Sequence, residues 1–110
     1  SNYMTIKALF VYGSLLPGAE NEKYLKHIKG SWTKAYVYGE LITDANIGYP
    51  AIKLNEKGDK ILGQLFYSDA LMKIIKSVDE YEGEEYQRVV TNVYLNDGTQ
   101  KQAFVYEKAK

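Results

Sequence analysis

The sequence predicts an α+β fold, with a mixed sheet curled around one core and helices packed outside it. Two observations carry this reading. About six β-rich segments stand against two helical ones, and strand mostly follows strand without regular β–α alternation. The chain has 110 residues, so a second core would have too little apolar surface to bury. Residues 4–110 are therefore read as a single domain. Ser1–Tyr3 reads as an expression remnant ahead of a natural start at Met4.

The elements follow in order. Ile6–Tyr12 is a short apolar run stopped by Gly13, which predicts a buried strand. Gly13–Gly18 is a loop, with two glycines and a proline in six residues. Asn21 can cap a short helix through Ile28, and Gly30 stops it. Ser31–Leu41, rich in Trp, Thr, Tyr and Val, predicts a strand with Gly39 at a bend or close approach. Thr43–Tyr49 is irregular. Pro50 restricts Ala51–Leu54 to an edge strand, Asn55–Gly58 is a turn, and Lys60–Tyr67 is the next strand. Ser68-Asp69 offers an N-cap for the best helix, whose Leu71, Ile74, Ile75 and Val78 form one apolar stripe. Gly83 is its natural stop. Tyr86–Leu95 is a strand, and Asn96-Asp97-Gly98 signals a hairpin into a last strand near Gln102–Tyr106.

Composition narrows the partners. Lys+Arg and Asp+Glu number 14 each, so the chain lacks the basic footprint of a duplex nucleic-acid binder. No basic amphipathic stretch or long apolar run points to a membrane, and the N-terminus has no signal-peptide core, so the cytoplasm is expected. With no cysteine, disulfides, thiolate nucleophiles and cysteine-held metals are excluded. The sole histidine, His27, sits among lysines and reads as a surface residue, so no metal cluster is expected. The 11 tyrosines suit a β-rich core with hydroxyls at its rim, a cleft lined with hydroxyls, or both.

Two segments could carry chemistry. In Val11–Leu16 a glycine directly after a buried strand lets the backbone turn sharply and expose consecutive N–H groups. Such a nest of donors suits a carboxylate or an oxyanion, although many strand-Gly-Ser turns are only turns. The ending that a phosphate-binding P-loop requires is missing. The second segment, Asp79–Arg88, holds five carboxylates in seven residues, ordinarily a solvated acidic face. Helical geometry separates them. Glu82 lies 11 residues after Leu71 and returns to within about 20° of it, whereas Glu80 falls roughly opposite. An inward carboxylate in apolar surroundings has a raised pKa and can act as a base near neutrality. If the helix ends earlier, Glu82 is instead a solvated or capping group. Tyr86 and Arg88 share a strand face and could hold an anionic substrate near Glu82, or Arg88 could pair with the nearby acids.

Taken together these residues resemble the γ-glutamylcyclotransferase-like superfamily. The likeness rests on Phe10–Leu15 and on Asp79–Gly83 followed by Tyr86 and Arg88. Gly39 with Leu41, Tyr49–Ala51, Gly63 before Leu65, and Val105-Tyr106 agree in the same order. The resemblance implies a small mixed β-barrel flanked by helices. It implies a cofactor-free reaction on a small-molecule γ-glutamyl substrate, releasing 5-oxoproline and an amine or amino acid. Glu82 would be the acid/base. Tyr12, Gly13, Ser14 and Leu15 would bind the γ-glutamyl portion, with Tyr86 and Arg88 beside them and no metal. Leu41–Tyr49 carries no family signature, so the leaving group stays open. A non-catalytic binding module that keeps the same cleft, and a plain interaction domain, are the competing readings.

Overall fold

The computed structural model describes residues 5–13, 23–43 and 50–110. Strand β1 (Ala8–Val11) shows how its layers arise. All four of its side chains are buried, Ala8 and Phe10 in one apolar cluster, Leu9 and Val11 in another. Successive residues of a strand point to opposite faces, so β1 separates two cores. One fills the interior of a barrel; the other lies between the barrel and its helices.

Helix α1 (Lys23–Lys26), β2 (Ser31–Ile42), β3 (Ala51–Leu54), β4 (Asp59–Tyr67), α2 (Leu71–Glu82), β5 (Tyr86–Leu95) and β6 (Gln100–Lys108) follow in order. The strands run β1-β4-β2-β3-β6, and β6 returns to β1, closing a five-stranded barrel to which β5 adds through β6 and β2. The β1–β6 and β3–β6 pairings are parallel and the others antiparallel, which makes the sheet mixed. The α+β barrel expected from the resemblance is the one observed.

The core follows the same alternation. Val37, Ile52, Ile61, Leu65, Val93 and Val105 join Phe10 inside the barrel. Leu25 of α1, Leu71, Ile75 and Val78 of α2, and Phe66, Phe104 and Tyr106 join Leu9 and Val11 on the helix side. The helices also touch through Tyr24 and Tyr81, whose rings are tilted by 33° with centroids 4.4 Å apart.

Three local expectations are corrected. Ala51–Leu54 has the predicted bounds but is not an edge, because β3 pairs with both β2 and β6. Pro50 precedes the first strand residue, so its missing N–H costs the ladder nothing. Ser68 and Asp69 do not cap α2, whose N-cap is Ala70 without a side-chain hydrogen bond. Ser68 is buried instead, donating from Oγ to the Lys29 carbonyl (2.6 Å) and accepting from the Ala70 N–H (3.1 Å). The described part of the first helix is the single turn Lys23–Lys26, shorter than the Asn21–Ile28 expected, and Asn21 lies outside the described residues. Gly39 marks a close approach, since a Cβ there would sit 2.4 Å from the Lys53 carbonyl oxygen.

Candidate active site

Glu82 is the last residue of α2, so the helix does continue far enough for the stripe to reach it. Leu71, Ile75 and Val78 are buried, and Glu82 extends their face by one more turn, half-buried. Removal from water penalises the charged form, which lifts its pKa from 4.5 to about 7. Gly83 ends the helix directly after it, at φ 76° and ψ −169°, a backbone region open essentially only to glycine. Its N–H closes the last turn on the Asp79 carbonyl at 3.0 Å. Glu80, Glu84 and Glu85 are exposed, as is His27.

Tyr12, immediately after β1, sits over the barrel-interior core. Its hydroxyl donates to the Tyr106 carbonyl (2.7 Å) and accepts from the Ile52 N–H (3.1 Å), joining β1, β6 and β3. Burial pushes its pKa up, and the nearby Tyr86, Glu82 and Glu107 add to the rise. Tyr12, Tyr86 and Glu82, called separately from sequence, are thus electrostatic neighbours. Gly13 is exposed and not left-handed, and a Cβ built on it would meet none of the described atoms within 4 Å. Among the described residues, neither a left-handed conformation nor a close neighbour requires glycine there. Ser14 and Leu15, the other loop residues expected to bind, lie outside the described residues.

Arg88 is committed to Asp79. Its Nε and Nη2 reach the two carboxylate oxygens at 2.8 and 3.1 Å, and its guanidinium lies 4.5 Å from the Phe104 ring centroid. This is the pairing with a nearby acid that the sequence left open. The Tyr106 hydroxyl donates to Asp79 Oδ1 at 2.6 Å. Burial by itself would raise the Asp79 pKa, but the Arg88 and Tyr106 hydrogen bonds outweigh it and hold the carboxylate below its usual range. Burial, and then the Asp79 hydrogen bond, push the Tyr106 hydroxyl up, with Glu82 near enough to contribute.

Sequence reasoning quoted Asp79 and Tyr106 within motifs but assigned neither to the site. One signal was present: Asp79 precedes Glu82 by three residues, neighbours on a helix surface. The partner that completes it is 27 residues away, which periodicity cannot reveal. Among the described residues no three acids or histidines gather as metal ligands would. No described helix is long and apolar enough to cross a membrane.

Comparison with known proteins places the chain in a family. Over 76 residues the chain is 36% identical to the gamma-L-glutamyl-butirosin B gamma-glutamyl cyclotransferase of Niallia circulans. That match covers 68% of this chain and 47% of the relative, so the chain spans about half the relative's length. The crystal structure of an AIG2-like protein from Mus musculus superposes with a TM-score of 0.74 at 24% identity, covering 94% of this chain and 78% of that one. YkqA from Bacillus subtilis gives a TM-score of 0.72 at 25% identity, over 93% of this chain and 35% of that one. The family model described as gamma-glutamyl cyclotransferase, AIG2-like, matches residues 9–110, from the strand before the glycine turn to the end of the barrel. The chain belongs to that family.

Proposed function

We propose that this chain catalyses the intramolecular cyclisation of a γ-glutamyl group, releasing 5-oxoproline and an amine or amino acid. The α-nitrogen attacks the γ-carbonyl carbon, a C–N bond closes the five-membered ring, and the γ-amide C–N bond breaks. Protons leave the attacking nitrogen and arrive on the departing amine. Nucleophile and target belong to one molecule, so holding the substrate folded supplies much of the acceleration. No cofactor is needed.

The observation that carries this reading is Glu82, half-buried at the end of the α2 stripe with a pKa of about 7. At neutral pH such a group accepts a proton and returns it with comparable ease, so one carboxyl serves both transfers in turn. The turn from Tyr12 through Gly13, Ser14 and Leu15 is assigned the γ-glutamyl portion, with backbone N–H groups facing the developing oxyanion. The open space at Gly13 supports this. Tyr86, which bears on Tyr12, is assigned a wall of the same site. Arg88 is assigned a supporting place there, with its charge met by Asp79. The named activity of the Niallia relative makes gamma-L-glutamyl-butirosin B one compound to include among those tried.

The test is incubation with a panel of γ-glutamyl peptides and γ-glutamyl amines, with 5-oxoproline followed by mass spectrometry. Release from at least one compound by the wild type, and not by Glu82→Gln, is the expected result. Binding of a γ-glutamyl compound with no product from any would assign the chain to non-catalytic binding instead.

A further inference from the structure

We propose that Tyr106 is the positioning residue of this site, holding the Glu82 helix end and Tyr12, just after β1, in one fixed relation. The inference rests on the reading of Glu82 as acid/base. The two halves of the site come from distant parts of the chain: Tyr12 follows β1, and Glu82 ends α2. Tyr106 bonds to Tyr12 in the first and to Asp79 in the second. Its backbone carbonyl accepts the Tyr12 hydroxyl, and its own hydroxyl donates to Asp79, one helical turn before Glu82.

The sheet register explains why one residue can do this. Tyr106 stands opposite Arg88 on the β5–β6 ladder, and both side chains meet the same Asp79 carboxylate. Asp79 is therefore gripped from two adjacent strands, and it cannot shift without breaking a bond to each. Tyr106 is itself 4% exposed and packs with Leu71, Ile75 and Val78, so it has no freedom to follow a displaced helix. The titratable groups bearing on this region are Tyr12 just after β1, Tyr86 and Arg88 from β5, Glu107 from β6, and Asp79 and Glu82 from α2.

The arrangement allows a clean separation. Tyr106→Phe keeps the ring and the backbone carbonyl, so it preserves the Tyr12 bond and removes only the grip on Asp79. The experiment is a carbon-13 NMR titration of the Glu82 side-chain carboxyl in the intact chain, with kcat and KM measured beside it. In Tyr106→Phe the last helical turn loosens. The Glu82 midpoint should then fall by about one pH unit or more toward the ordinary glutamate value, and kcat should fall about 10- to 100-fold. KM should stay within about threefold.

Asp79→Asn should give the same pair of changes and serves alone if Tyr106→Phe does not fold. The double variant should lose little beyond Asp79→Asn alone, as expected when Tyr106 acts through Asp79. Val93→Ala, which weakens the separate barrel-interior core, is the control for stability loss and should leave midpoint and kcat at wild-type values. A wild-type midpoint and kcat in Tyr106→Phe would overturn the proposal. So would equal shifts in Val93→Ala, which would reduce the effect to stability. If no γ-glutamyl compound is turned over by the wild type, the acid/base reading fails, and the NMR midpoint alone decides whether Tyr106 positions Glu82.

Discussion

Of five clustered carboxylates only Asp79 and Glu82 are half-buried. Of these only Glu82, without the hydrogen bonds that hold Asp79 down, has a raised pKa. Glu82→Gln keeps the shape but cannot accept a proton, so kcat/KM should fall about 10²- to 10⁴-fold in initial-rate assays. Glu80, Glu84 and Glu85 are exposed, and their Gln variants should stay within about a few-fold of wild type. On the proposed mechanism the wild-type kcat/KM should rise with pH through about 7, as Glu82 ionises and can accept a proton. Its raised pKa also sets a stability trend of defined sign. Between the unfolded value of 4.5 and the folded value of about 7 the folded chain binds more protons than the unfolded one. Stability therefore falls as pH rises through that window. Glu82→Gln should melt higher than wild type at pH above the window, by about 1–3 kcal/mol, and match it below. Gly13→Ala should leave the melting temperature at or slightly above wild type, since the added methyl meets none of the described atoms. On the proposed assignment of this turn to substrate, KM should rise about tenfold or more.

At the scale of the element, α2 is one side of the site and Gly83 its stop. The helix buries one stripe and presents Glu82 only because it runs one turn past Val78 and no further. Gly83→Ala forces a Cβ into a backbone region that L side chains rarely adopt. It should cost about 1–3 kcal/mol in urea unfolding and reduce kcat by moving the residue just before it. A change in activity without a change in stability would show that Gly83 is relaxed rather than strained.

For the whole molecule, β6 joins the barrel through its two thinnest pairings, to β1 at Leu9 with Phe104 and to β3. β3 meets β6 through a single parallel bridge, Ile52 with Glu107. The buried Glu107 side chain reinforces that seam, accepting from the Leu54 N–H (3.2 Å) and from Gln87 Nε2 (3.0 Å). Lys53 Nζ lies 3.9 Å from the same carboxyl. Glu107→Ala strips these partners and leaves a backbone donor unpaired, for a loss of about 2–4 kcal/mol in urea unfolding. Hydrogen exchange at the Leu54 amide should accelerate most. Uniform loss of protection across all strands would argue against a local seam.

Local periodicity determined much of this protein before any coordinates. A short unbroken apolar run marked β1 as buried, and period 3.6 set the phase of α2 that turns Glu82 inward when the helix runs on to Gly83. Those features depend on residues within two or three turns of one another. The tertiary structure decided what depends on distant partners. It placed β3 between two strands despite Pro50, and it drew the Ser68 hydroxyl to the Lys29 carbonyl instead of a helix cap. It met Arg88 with Asp79 and made Tyr106 the joint between Tyr12 and the helix. The sequence supplies each polar side chain with donors and acceptors, but a buried group bonds to whatever the closed barrel brings within reach.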